Sequence, residues 1–159
     1  ALGDLLIFVA YAVLPAIGTS YVTTGIIHWN TLWMIVPVGL ITVAILHVNN
    51  MRDVKTDARA RISTLAMNIG MKPSVILYIA ELLVPFLWIV IGIAWGYYPF
   101  WTLLGWLVLP ISMQNVRRAW MFLQKGYETI ANLDERTAQL QLLFSLIFSL
   151  SFLISRLVG

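Results

Sequence analysis

The sequence predicts an all-α protein embedded in a lipid bilayer. Three observations predict it. Of its 159 residues 60% are hydrophobic and only 11% are charged, against about 45–50% apolar and about 25% charged in a soluble domain. The apolar residues fall in runs of about 20, the length a spanning helix needs. Every Lys and Arg except Arg156 lies in one of two linkers between those runs. The chain has no cysteine, which excludes a disulfide framework and a thiolate metal centre. Its net charge of +3 does not point to nucleic acid, because the cations stand beside apolar spans rather than on an independent basic domain.

About five transmembrane helices follow in order, as one helical domain over residues 1–159. The first covers residues 5–24 and contains Pro15 and Gly18, which mark a kink or a close helix contact. A short uncharged turn with His28 and Trp29 leads to the second span, residues 31–48, which contains Pro37. A polar, Asp-rich segment occupies residues 49–72, and Pro73 opens the next helix. The third span is 74–95. The tight aromatic turn of Gly96, Tyr97, Tyr98 and Pro99 precedes the fourth, 100–116. A charged linker to Arg136 is followed by the fifth span, 137–155.

Charge placement gives the orientation. Arg52, Lys55, Arg59, Arg61 and Lys72 follow the second span, and Arg117, Arg118, Lys125 and Arg136 follow the fourth. The loops after the first and third spans carry no Lys or Arg. By the positive-inside bias both charged linkers, and the start of the chain, face the cytoplasm.

Residues 47–61 hold the densest polar group in the chain. Asp53 and Asp57 stand four residues apart, on one face of a helix. Asn49 and Asn50 precede them, and Arg52, Lys55, Arg59 and Arg61 surround them. Carboxylates at this spacing, assisted by amide oxygens, suit a hard cation such as Mg²⁺, which shares its shell with substrate phosphates. The cations can neutralise the remaining phosphate charge, arginine doing so bidentately. The residues alone thus indicate an enzyme, or a binding site, for a phosphorylated amphiphile. The plainer alternative is a cytoplasmic loop that only sets topology. That alternative requires Lys and Arg, but neither the paired amides nor the paired carboxylates.

Leu46, His47, Asn49, Asn50, Arg52, Asp53 and Asp57, followed by residues 63–66 (Ser-Thr-Leu-Ala), resemble the second Asp-rich motif of the UbiA superfamily of membrane prenyltransferases. The form Leu-His-x-Asn-Asn-x-Arg-Asp most resembles the 1,4-dihydroxy-2-naphthoate polyprenyltransferases of menaquinone synthesis. Residues 18–25 and 133–140 are similar to two flanking stretches of the family. The resemblance implies the C-terminal part of a nine-helix bundle in a prokaryotic inner membrane. Two Asp-rich motifs would hold Mg²⁺ and a polyprenyl pyrophosphate, whose allylic cation alkylates an aromatic acceptor. Carried onto this chain, it implies Asp53 and Asp57 as catalytic residues, with Asn50 beside them as metal ligand. It implies Asn49, Asn50, Arg52, Lys55, Arg59 and Arg61 as pyrophosphate contacts, with Arg61 one residue ahead of the position where the family commonly has Lys.

Only one of the two Asp-rich motifs is present, and the chain begins at Ala1. The expectation is therefore a fragment that lacks four N-terminal helices and is inactive alone. Rival readings keep the superfamily with another acceptor (4-hydroxybenzoate, a haem or chlorin, a lipid alcohol), or make the chain a transporter or lipid-binding protein. Glu81, inside the third span, reads as a functional acid or as a group satisfied by a neighbouring helix. His47 reads as a ligand contact or as a hydrogen-bonded bundle residue. Trp29, Trp95, Tyr97, Tyr98 and Trp101 fit an interfacial belt. Asn115, Arg117 and Arg118 read as a solvated helix end, and Glu128, Asp134 and Glu135 as a charged linker.

Overall fold

The computed structural model describes residues 3–158, and all regular structure among them is helical. Ala1, on which the reading of the chain's start rests, lies outside the described residues with Leu2 and Gly159. We label the helices α1 (Gly3–Thr24), α2 (Thr31–Arg52), α3 (Val54–Arg59), α4 (Leu65–Ile69), α5 (Met71–Ala94), α6 (Leu109–Lys125) and α7 (Leu133–Val158). Four helical stretches among the described residues are long and apolar enough to cross a membrane: α1, α2, α5 and Tyr127–Val158, which ends in α7. The protein is an all-α membrane protein.

The segment expected as a fourth span takes a different form. Phe100–Val108 winds as a 3₁₀-helix and only then passes into α6. Pro110 explains part of this. It has no N–H, so the carbonyl of Trp106 four residues earlier loses its α-helical donor. The Leu109 N–H donates to that carbonyl instead, the i→i+3 bond of the tighter helix.

Two other prolines disturb their helices by the same loss of a donor. Pro15 follows a π-helical turn, Val9–Val13, in which the Leu14 N–H reaches back to the Val9 carbonyl. The wider turn relieves the clash of the proline ring with the preceding turn. Pro37 lies in α2 and frees the carbonyl of Trp33. There the donors come from elsewhere: Trp88 Nε1 donates at 3.2 Å and the Tyr98 hydroxyl donates as well. The Trp33 ring is stacked on Trp88 and on Tyr97 with centroids 4.7 Å from each, and meets Trp95 edge-on at 5.2 Å. Tyr98 is thus a buried hydrogen-bonding residue rather than part of a lipid-facing belt, whereas Trp29 and Trp101 are exposed. Burial pushes the Tyr98 phenol up, which keeps it a donor at any physiological pH.

Helix α2 is the centre of the bundle, packed on α5 along one side, on α7 along another and on α1. Ile41, Val48 and Met51 of α2, Val75 and Leu82 of α5, and Leu140 and Phe144 of α7 are fully buried in the shared core. The α1–α2 approach depends on Gly39, where a Cβ would lie 2.6 Å from the Phe8 ring and 2.8 Å from the Ala12 Cβ. Small residues let membrane helices approach this closely. Most of α1 remains uncovered, with only Asp4 and Ala12 buried.

The Trp33 carbonyl gives a direct test. Tyr98→Phe alone leaves the Trp88 donor in place and is expected to lower unfolding free energy by about 1 kcal/mol. Trp88→Phe with Tyr98→Phe orphans the carbonyl and is expected to remove about 2–4 kcal/mol. Denaturation in detergent micelles followed by far-ultraviolet circular dichroism measures both, and a double variant as stable as the parent refutes the assignment.

Candidate functional site

Helix α2 carries Asn49 and Arg52 to its last turn, and Asp53 closes it. Asp53 adopts φ −93° and ψ 8°, so the chain leaves the helix there. Its N–H still donates to the Asn49 carbonyl at 2.9 Å, and its own carbonyl accepts from the N–H groups of Thr56 and Asp57, each at 2.9 Å. One residue therefore ends α2 and begins α3, with Asp57 one turn further on.

The Arg52 guanidinium organises this corner. Nε donates to Asp53 Oδ1 at 3.0 Å and Nη2 to Asp53 Oδ2 at 3.2 Å, a bidentate fork on one carboxylate. Nη2 also donates to Asn49 Oδ1. Nη1 donates to Asp134 Oδ2 at 2.5 Å, and to the Ala131 carbonyl at 3.5 Å. Arg52 thus ties the end of α2 to the first turn of α7. Its side chain is 29% exposed, and those of Asp53 and Asp134 are 39% and 21% exposed. Arg52 thus pairs with both carboxylates at once.

The structure thus brings Asn49, Arg52 and Asp53 together. Asn50 is half-buried in the same last turn, and Asp57 is half-buried on α3. Lys55 is exposed, with Nζ 5.1 Å from the centre of the Tyr127 ring. Arg59 and Arg61 are exposed, and no ion pair among the described residues involves them. Arg61 has φ 58°, an uncommon backbone for a non-glycine residue, at the turn that follows α3.

The donors fit a hard cation. The side chains of Asn49, Asn50, Asp53 and Asp57 offer carboxylate and amide oxygens. No three of His, Cys, Asp and Glu group closely enough among the described residues to form an all-protein cage. Such a site suits Mg²⁺, which retains waters and completes its shell with ligand phosphate.

Reading the sequence missed Asp134. Assigned to an ordinary linker, it is a partner of Arg52 from 82 residues away, a separation that no local pattern reports. Asn115 also differs from expectation: it is buried rather than solvated, and neither amide atom has a partner. Glu81 and His47, weighed separately, are each other's partners. His47 Nδ1 and Glu81 Oε1 share a hydrogen bond of 3.1 Å between α2 and α5, both residues being buried.

The fold defines an all-α membrane protein with a charged corner at the end of an apolar bundle. Comparison with known sequences names the class. Residues 1–132 match the model of the UbiA prenyltransferase family. The chain is 34% identical over 149 residues to the Drosophila melanogaster "UbiA prenyltransferase domain-containing protein 1 homolog", covering 93% of this chain and 39% of that protein. It is 34% identical over 148 residues to "UbiA prenyltransferase domain-containing protein 1" of Homo sapiens, covering 93% of this chain and 41% of that protein. The Gallus gallus protein of that name is 33% identical over 148 residues, covering 93% and 42%. The chain belongs to the UbiA prenyltransferase family. It spans about two fifths of the length of these relatives.

The buried pair behind the site is open to a stability test. Glu81→Ala leaves His47 without its partner in the interior and is expected to cost about 1–3 kcal/mol. Replacing both, as His47→Phe with Glu81→Leu, removes the polar atoms together and is expected to recover most of that loss. Unfolding of the three proteins in the same detergent checks the ordering, and a double variant less stable than Glu81→Ala contradicts it.

Proposed function

We propose that this chain forms the C-terminal part of an enzyme that transfers a polyprenyl group from polyprenyl pyrophosphate to an aromatic acceptor, with the help of Mg²⁺. The observation that carries the reading is the corner of Asn49, Arg52 and Asp53, held by Asp134 at the end of an apolar bundle. It offers oxygen donors for a hard cation and guanidinium donors for phosphate in one place. A bound Mg²⁺ supplies neutralisation of the pyrophosphate charge.

The chain's own residues then act in named roles. Asp53 and Asp57 hold the cation, with Asn50 beside them. Asn49 and Arg52 orient the pyrophosphate, and the exposed Lys55, Arg59 and Arg61 lie on the adjoining turn, available to its outer oxygens. The allylic carbon–oxygen bond breaks with its electrons leaving on pyrophosphate, and donors fixed around those oxygens favour that step. The aromatic carbon attacks the allylic cation, and the ring regains its aromaticity by releasing a proton or, from a carboxylate-bearing carbon, CO₂.

The acceptor we propose is 1,4-dihydroxy-2-naphthoate, in a pathway to menaquinone. Its support is the motif at residues 46–53, which resembles the naphthoate enzymes. Other acceptors of the superfamily are the outcomes against which it is tested. We also propose that the Asp-rich segment faces the cytoplasm, supported by the placement of Lys and Arg. The similar proteins named above come from animals, so the prokaryotic inner membrane rests on the resemblance to the menaquinone enzymes alone.

We further propose that four preceding helices with a second Asp-rich motif complete the site, so that residues 1–159 alone are inactive. Asp53→Asn and Asp57→Asn, introduced into the chain carrying those helices, are each expected to lower Mg²⁺-dependent turnover at least about a hundredfold, with the melting temperature unchanged within a few degrees. Product analysis with radiolabelled polyprenyl pyrophosphate and a panel of acceptors measures turnover and acceptor together. Normal product formation by both variants excludes the catalytic assignment and favours a transporter or lipid-binding role.

A further inference from the structure

We infer that Asp134 is a positioning residue, which holds Arg52 at the pyrophosphate while Asp53 takes the cation. This rests on the function proposed above. Arg52 divides its donors between two carboxylates, a fork on Asp53 and a single short contact of 2.5 Å to Asp134. These two partners have different prospects. Asp53 is a candidate cation ligand, and turning its oxygens to a cation opens the fork. Asp134 lies across the gap on α7, on a separate element with its own backbone support. When the fork opens, Asp134 and Asn49 still fix the guanidinium, one on each side. Without Asp134 the freed side chain keeps only Asn49 and the distant Ala131 carbonyl, and Arg52 loses its orientation.

One further observation concerns the surroundings of Asp134. Asp134 and Asn49 line a groove of about 250 Å³ together with side chains of α1 and α2 such as Ile7, Tyr11, Thr42 and Ile45.

The test uses the chain joined to the four preceding helices, in nanodiscs, with inorganic pyrophosphate and Mg²⁺ titrated calorimetrically. Asp134→Asn is expected to weaken pyrophosphate binding about tenfold, the loss of one charge-assisted contact to Arg52. Asp134→Glu is expected to restore affinity to within about threefold. Arg52→Ala weakens binding at least as much, and adding Asp134→Asn to it produces no further loss. Losses that add instead show that Asp134 does not act through Arg52, and overturn the inference. So does an Asp134→Asn protein that melts earlier but binds pyrophosphate as tightly as the parent, the signature of a purely structural residue. A parent protein that binds no pyrophosphate with Mg²⁺ overturns the functional reading itself, and the parent titration alone reveals it.

Discussion

Much of the structure follows from one constraint, the cost of leaving a polar group in hydrocarbon without a partner. Arg52 shows it most fully. A guanidinium at the end of an apolar helix presents five donors in a fixed plane, and here they meet acceptors from three segments: Asn49 in α2, Asp53 at the junction with α3, and Asp134 and Ala131 at the start of α7. Meeting that demand draws the first turn of α7 onto the end of α2. The charged corner is therefore a packing element as well as a candidate site.

Pro15, Pro37 and Pro110 meet the same constraint by three routes. Each removes one donor from the carbonyl four residues back. At Pro15 the helix widens into a π turn, at Pro110 it tightens into a 3₁₀ run, and at Pro37 it keeps its path and borrows donors from Trp88 and Tyr98. The third route has the widest effect. It ties the N-terminal end of α2 to α5 and to the aromatic turn after it, and a separate hydrogen bond from Ser112 to the Leu82 carbonyl ties α6 to α5. The bundle is thus fastened at the Pro37 defect, through side chains whose rings also fill the adjacent space.

Much of this was legible in the residue order. Apolar runs of spanning length gave the all-α membrane class, and the spacing of Asn49, Asn50, Asp53 and Asp57 singled out the corner before any geometry was known. What was not legible depended on contacts between distant elements. Asp134 looks like any acidic residue in a helix's first turn, and only the fold shows that Arg52 waits opposite. His47 and Glu81 were each conspicuous as polar residues in an apolar setting, yet their pairing requires the register of α2 against α5. The 3₁₀ run before Pro110 is another such case: proline marks the disturbance, but the surrounding packing decides whether the helix kinks, widens or tightens.

The distribution of charge around the corner gives the argument its last step. The carboxylates of Asp53 and Asp134 are partly covered and face Arg52, whereas Lys55, Arg59 and Arg61 are exposed on α3 and the turn after it. A loop serving only as a topology signal has no need of this sorting, because the bias that sets orientation counts Lys and Arg and is nearly indifferent to Asp. Here Arg52 is drawn in between two carboxylates, while Lys55, Arg59 and Arg61 stay exposed. Oxygen donors gathered at a helix junction beside exposed cations are the groups that the proposed cation-bound phosphate would need.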